Sequence, residues 1–473
     1  MTVSRGETPH VLVYGLGRSG GAVIRHLARL GWTGAWFDIS AEPFGAEAAL
    51  ALGFPRVTQI NPSDFDLCVA APGVMFQSAE LRNLRDASLE VIGEVELFYR
   101  TVSPRVPTIG VTGTAGKGST TLLIQHLLES QGLKAAVGGN FDPALLDVIG
   151  DCEVAVVELS SFQLERIVDY RPDVAVITNL GVDHIRDHGS LEAYHAAKWM
   201  IAKNLIPRDV LVLPKSLELP LPTAARVARV KERGDVMVDS RTVLLEESRI
   251  PHTVHPMNAR MAVTATREYL RQLGQAPNLE TMRTALLEFP GVPGRFETVA
   301  VLNGVRCIED SIATRVLAVQ SALENAPAPI AWILGGRDKL TALERKTELP
   351  KLEALVREKV CVLLAFGESG LEYARFFQHL GVRIVDLTRL EGQAALEAAV
   401  VEGYAAVLGD ARGAGSVVLA PLGTSFDLFK DYKARGAAFK TAVQQLKVKL
   451  LKSQQLKPDP LEPNLKQRNP GSL

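Results

Sequence analysis

Three glycines and a lysine interrupt an otherwise apolar run at Gly113-Thr114-Ala115-Gly116-Lys117-Gly118-Ser119-Thr120. The segment joins a strand-like stretch, Thr108-Ile109-Gly110-Val111-Thr112, to a helix-like one carrying Leu122, Leu123, Leu127 and Leu128. Small residues at such a junction let successive backbone N–H groups converge on phosphate oxygens, and the helix start adds a favourable dipole. Lys117 supplies a point charge toward a transferring phosphate. Ser119, helped by Thr120, can reach a Mg²⁺ ion. The strict P-loop spacing is not met, because Gly118 stands where serine or threonine follows the lysine and Gly110 is one residue too far upstream. Nucleotide binding is the expectation, since a plain surface turn does not call for this composition between so apolar a strand and helix.

Carboxylate and imidazole groups follow. Glu158 lies just past the apolar run Val154-Ala155-Val156-Val157, in the stretch Glu158-Leu159-Ser160-Ser161-Phe162-Gln163-Leu164-Glu165. The carboxyl ends of parallel strands face a ligand crevice, so Glu158 is expected to meet the phosphate loop and hold Mg²⁺. Glu165 reads as a helix-surface carboxylate. The next strand-like run leads through Asn179-Leu180-Gly181-Val182-Asp183 to His184, which puts that imidazole at the same rim as a metal or substrate ligand. Lys198 follows on a helix. It is an ordinary surface lysine unless buried beside divalent ions, where carbamylation would turn a cation into an oxygen ligand.

A second glycine turn, Gly15-Leu16-Gly17-Arg18-Ser19-Gly20, comes near the start, with Asp38 at the end of the next strand. Glycines so spaced admit a diphosphate, and an acid so placed accepts from a ribose hydroxyl. The turn fits a nicotinamide dinucleotide, a nucleotide-sugar diphosphate, or a tight turn with no ligand.

The elements that must position these residues alternate strand and helix, which predicts an α/β fold with parallel sheets covered on both faces. Strands are expected at HVLVYG, up to Phe37, at Leu67–Ala70, at Thr108–Thr112, Val154–Val157, Val174–Ile177 and Val210–Leu213, then at Val305–Ile308, Ile330–Leu334, Val360–Ala365 and Ala405–Leu408. Pro104 and Pro107 bracket a connection, and Phe289-Pro290-Gly291-Val292-Pro293 marks another. Residues 442–473 turn to lysine, glutamine and proline and are expected to be a disordered tail. A chain of 473 residues divides into several cores.

Composition excludes some functions. A formal net charge of -1 gives no field to gather nucleic acid or an acidic membrane. The four cysteines, Cys68, Cys152, Cys307 and Cys361, lie far apart and read as buried hydrophobes of a reducing compartment, not a disulfide framework or zinc site. The first ten residues lack a signal peptide's apolar core, and no apolar run reaches the roughly 20 residues that span a bilayer. The cytoplasm is the expected location.

In order along the chain, GVTGTAGKGSTT, VVELSSFQLE, NLGVDHIRDHGSLEAYHAAK, GVPGRFE, EDSIAT, GGRDK and APLGTSFDLFKDYKARG resemble the Mur ligase family over residues 10–440. The resemblance implies a three-domain architecture, with Rossmann-like N- and C-terminal domains around a central P-loop-type ATPase domain. Its parts would be a UDP-substrate domain at 1–105, an ATP- and Mg²⁺-binding domain at 106–292 and an amino-acid-binding domain at 293–441. It implies an ADP-forming ligase, active as a monomer, that joins D-glutamate to UDP-N-acetylmuramoyl-L-alanine through an acyl phosphate in peptidoglycan precursor synthesis. Carried over, Gly15, Leu16, Arg18, Ser19 and Asp38 would line the uridine diphosphate pocket, with Asn140 near the sugar. Gly113, Thr114, Gly116, Lys117, Gly118, Ser119 and Thr120 would hold ATP together with Asn258, Arg295 and Asp310. Ser119, Glu158, His184 and carbamylated Lys198 would arrange the metal, and Arg295 would stand near the transferring phosphate. Thr314, Lys339, Ser425 and Phe426 would position the amino acid.

The chain departs from the family pattern at Ile312, where lysine is usual, and at Arg315, Gly294 and Ser40. These positions concern ligand recognition. A ligase adding L-glutamate, a folylpolyglutamate-type ligase, an inactive nucleotide-binding scaffold and a dehydrogenase stay open on the sequence alone.

Overall fold

The computed structural model describes residues 8–453, save positions 41, 142, 221, 252, 339 and 341 and the side chains at 186, 317 and 342–344. The chain forms two compact units that divide between Phe289 and Pro290.

The first unit holds two parallel sheets. Strands β1 (His10–Tyr14), β2 (Thr33–Phe37), β3 (Leu67–Ala70) and β4 (Val91–Ile92) pair in the order β2-β1-β3-β4. Strands β5 (Thr108–Thr112), β6 (Ala135–Gly139), β7 (Val154–Glu158), β8 (Val174–Ile177), β9 (Val210–Pro214) and β10 (Arg226–Val230) pair in the order β10-β9-β8-β5-β7-β6. A small antiparallel hairpin follows, β11 (Val236–Met237) with β12 (Val243–Leu245). Strands β5, β7, β8 and β9 are buried at every position, as continuous apolar runs covered by helices on both faces should be. Their neighbours on the two sides of β5 are β7 and β8, so the loops after these three strands open at the same end of the sheet.

The two sheets share one apolar core, in which Leu16, Val23 and Leu27 join Leu145, Ile167 and Tyr170. The helix Glu94–Thr101 fastens them with two buried carboxylates. Glu96 accepts from the backbone N–H groups of Val168, Asp169 and Tyr170 at 2.8, 2.9 and 2.9 Å and pairs with Arg100. Four donors on one carboxylate offset the cost of removing it from water.

The second unit is one sheet: β13 (Glu297–Leu302), β14 (Val305–Glu309), β15 (Ile330–Gly335), β16 (Val360–Phe366), β17 (Arg383–Asp386) and β18 (Ser416–Leu422), ordered β13-β14-β18-β15-β16-β17. Only the β13–β14 hairpin is antiparallel.

Two expectations need correction here. Ala405–Leu408 is not a strand but the end of the helix Gly392–Leu408. A four-residue apolar run fits either element, and the alanine-rich stretch before it favours helix. The strand in question lies further on, at β18, buried at all seven positions. The second correction concerns the first part of the tail, since the last helix runs from Tyr432 to Lys452, into the stretch expected to be disordered, while residues 454–473 lie outside the described residues. Ala442, Val443, Leu446 and Leu450 recur at helical spacing and pack on the core of the second unit, so the lysines and glutamines are the solvent face of an amphipathic helix. Leu446→Ala should accordingly lower the stability of this unit by about 2–5 kcal/mol in urea titration; a change under about 0.5 kcal/mol would mean a solvated tail.

Candidate functional site

A glycine-rich turn leads from β5 into a helix in the first unit. After β5 the chain turns through Gly113 (φ 147) and Gly116 (φ 79), backbone conformations that favour glycine. A Cβ at Gly113 would overlap the Thr178 hydroxyl, and one at Gly116 would lie 2.5 Å from Asn258 Oδ1. Residues at the end of β8 brace the turn: Thr178 Oγ1 donates to the Ala115 carbonyl at 2.6 Å, and Asn179 Oδ1 accepts from Ala115 N at 2.9 Å. Asn179 was not singled out from the sequence; its place directly after a central strand was the available signal. The helix Lys117–Ser130 then starts with no side-chain cap on its first-turn N–H groups. Those donors need an acceptor, and an anion supplies one.

Two lysines converge on this turn. Lys117 Nζ donates to the carbonyls of Gly113 and Thr114 at 2.9 and 3.2 Å, and Lys198 Nζ reaches the same Gly113 carbonyl at 2.8 Å. Lys198 is 1% exposed, so the surface-lysine reading is replaced by a buried amine. Burial first, then the positive charge of Lys117, brings it down to about 7, partly offset by Asp183 and Glu158. A substantial neutral fraction near pH 7 makes this amine nucleophilic.

Glu158 ends β7, as expected, and is almost fully buried. Its Oε1 accepts from Asn140 Nδ2 at 2.8 Å, and its Oε2 lies 3.3 Å from where a Cβ on Gly118 would stand. The structure therefore brings Gly113, Gly116, Lys117, Gly118, Asn140, Glu158, Lys198 and Asn258 together. Ser119 is half-buried beside them on the first helical turn. Thr120, by contrast, is fully buried, with its hydroxyl unpartnered. Thr114 Oγ1 accepts from Gly181 N at 2.8 Å, a bracing role.

His184 adopts a left-handed conformation (φ 49), and its Nδ1 lies 2.9 Å from Asp187 Oδ2. Behind it, His188 joins Glu165 at 3.1 Å and Ser161 at 2.9 Å, so Glu165 holds a histidine and is not the free surface carboxylate expected. Among the described residues no three His, Cys, Asp or Glu side chains converge on a metal position. A divalent ion here would rely on Glu158, hydroxyl and phosphate oxygens, and a modified Lys198, all hard ligands suited to Mg²⁺.

The second glycine turn lies after β1 in the same unit. Gly15 takes φ 89, and a Cβ at Gly20 would overlap its carbonyl, whereas Gly17 faces open space. Asp38 braces this turn, with Oδ2 accepting from Leu16 N at 2.7 Å and Oδ1 from Ser40 N at 2.8 Å. Ser19 donates to the buried Glu94 at 2.5 Å, while Arg18 stays exposed.

Arg295, Asp310, Thr314, Ser425 and Phe426 belong to the second unit; Lys339 lies outside the described residues. Ser425 is buried and Phe426 is 63% exposed. Burial pushes the Asp310 carboxyl up to about 7 against the pull of Arg295. A raised carboxyl keeps its proton longer in the folded state, so its stabilisation is full below about pH 4 and is lost as pH rises through about 7. Asp310→Asn should remove that slope; urea midpoints of the two proteins should diverge in favour of the variant between pH 4 and 7, and parallel curves would refute the assignment.

A model of the Mur ligase middle domain matches residues 111–230. The UDP-N-acetylmuramoylalanine–D-glutamate ligase of Deinococcus radiodurans is 47% identical over 436 residues, covering 92% of each chain. That of Thermus thermophilus is 44% identical over 91% of this chain and 96% of its own. Among solved structures, the UDP-N-acetylmuramate-alanine ligase of Thermotoga maritima shares the fold at a TM-score of 0.52 and 21% identity, covering 93% of this chain and all of that one. With the middle-domain match and identity sustained over nine-tenths of two such relatives, this chain belongs to the Mur ligase family.

Proposed function

We propose that the chain is an ATP-dependent ligase that adds D-glutamate to UDP-N-acetylmuramoyl-L-alanine, a step of peptidoglycan precursor synthesis in the cytoplasm. The observation that carries the nucleotide part is the convergence of Lys117 and Lys198 on the Gly113 carbonyl beside an uncapped helix start. The acceptor and the amino acid follow from the relatives' substrates at 44–47% identity.

The chemistry runs in two displacements. A carboxylate oxygen of the acceptor attacks the γ-phosphorus of ATP, ADP leaves, and the product is an acyl phosphate. The neutral amine of D-glutamate then attacks the acyl carbon; phosphate leaves with the acyl–oxygen bond and the nitrogen loses a proton, giving the amide. Lys117 and the first-turn N–H groups would hold phosphate oxygens as charge shifts toward the leaving ADP. Asn258 packs against Gly116 and shapes the nucleotide side of the loop. Ser119, Glu158, His184 and a carbamate on Lys198 would hold Mg²⁺, which when bound offsets phosphate charge. The amine of Lys198, held near neutrality, is the form that reacts with carbon dioxide. The glycine turn with Leu16, Arg18, Ser19 and Asp38 would take the uridine diphosphate, and Thr314, Ser425 and Phe426 the amino acid. On this reading the chain works in three functional parts, at 1–105, 106–292 and 293–441, and acts as a monomer.

A product assay with ATP, Mg²⁺, UDP-N-acetylmuramoyl-L-alanine and each glutamate enantiomer should yield one ADP and one phosphate per amide, with D-glutamate preferred. Amide only with L-glutamate, or only with a folate acceptor, selects a different ligase; nucleotide binding with no amide from any acceptor selects a scaffold. Lys117→Ala should lower turnover by about 10²–10³-fold or more, and wild-type turnover in that variant would remove the role given to it. After incubation with ¹³C-bicarbonate, a carbamate carbon signal should appear in the wild type and be absent in Lys198→Ala.

A further inference from the structure

One buried cation in the second unit takes no part in the chemistry above. Arg435, in the first turn of the helix Tyr432–Lys452, is fully buried, and its guanidinium spans two chain segments. One terminal nitrogen donates to the Ser311 carbonyl at 2.7 Å and the other to the Gly423 carbonyl at 3.1 Å. Ser311 follows β14 and Gly423 follows β18, neighbouring parallel strands. Their ladder runs to Asp310 N, which donates to the Leu419 carbonyl, and a further bond from Leu422 N to the Ala313 carbonyl at 3.0 Å ties the segments beyond it. The carbonyls of Ser311 and Gly423 accept from Arg435, and the planar fork of an arginine holds its two donors at a fixed spacing that a rotating ammonium does not.

A third segment meets the same group. A Cβ on Gly336, just past β15, would lie 3.1 Å from the guanidinium, and the neighbouring Arg337 exchanges backbone hydrogen bonds with Thr424 at 2.9 and 2.8 Å. Two further features show that this junction is held tightly. Leu422 is buried at φ 66, a conformation L-residues rarely adopt, directly before the clamped carbonyl. Gly436, next to Arg435, leaves no room for a side chain, because a Cβ there would stand 2.9 Å from Glu309 Oε1.

Thr314 and Ser425 lie three and two residues beyond the clamped carbonyls of Ser311 and Gly423. We infer that Arg435 is a positioning residue for the amino-acid substrate: by clamping Ser311 and Gly423 it sets the spacing of the two loops that present Thr314 and Ser425. It touches no substrate itself. This rests on the proposed function, in which those loops take D-glutamate.

The test is steady-state kinetics of Arg435→Lys, and of Arg435→Ala with and without millimolar methylguanidinium, beside thermal melting of each. Lysine keeps the charge and the apolar stem but not the fork. The KM for D-glutamate should rise about tenfold or more, the loss expected for charge-assisted hydrogen bonds, while the KM for the UDP-linked acceptor stays within about twofold, a binding loss confined to one substrate. Methylguanidinium should lower the KM for D-glutamate in the alanine variant. An unchanged KM for D-glutamate, an equal rise in every KM, or loss of folding in both variants would each overturn the inference and leave Arg435 a stabilising group. Absence of amide formation by the wild type is a separate result, which removes the proposed function and this inference with it.

Discussion

Two ammonium groups share one backbone oxygen, that of Gly113, and most of the first unit serves that arrangement. Like charges brought together inside a protein repel, and one of the pair is buried at 1% exposure. The cost is tolerable only where something negative is to be bound. Lys198 relieves part of it by giving up its proton near neutrality, which turns a structural burden into a reactive amine. The helix start beside them has no side-chain cap, and its dipole favours negative charge at the same place. β8 supplies the rigidity, with Thr178 and Asn179 holding the Ala115 peptide from both sides.

The second unit solves a different problem, the presentation of side chains from loops that leave one sheet at the same edge. Parallel strands make this possible, since their carboxyl ends all open on one side. Arg435 links the carbonyls of Ser311 and Gly423, and the reciprocal bonds of Arg337 with Thr424 tie the third loop to the second. Asp310 sits at the head of the first of these loops, buried enough to hold its proton to about pH 7.

Much of this was legible in the residues. The glycine turn after β5 was legible because glycine is needed where φ is positive or a Cβ would collide, as at Gly113 and Gly116, and a lysine follows at once. Glu158 was placed correctly because a strand with every residue buried ends where the ligand crevice begins. What misled was local ambiguity. Ala405–Leu408 looks like a strand over four residues and is a helix over seventeen, and the lysine-rich surface of the last helix hid the apolar face beneath it.

By itself, then, the sequence determined where glycine is required, which strands must be covered on both faces, and that a lysine stands at a helix start; each of these is a property of one residue or one short segment. Tertiary structure alone decided that Lys198 is buried against Lys117, that Glu165 is bound by His188, and that Arg435 bridges two loops more than a hundred residues apart in the chain. Charge, burial and hydrogen-bond partner are properties of a place in space. No spacing along the chain encodes them until the sheets have brought distant residues together.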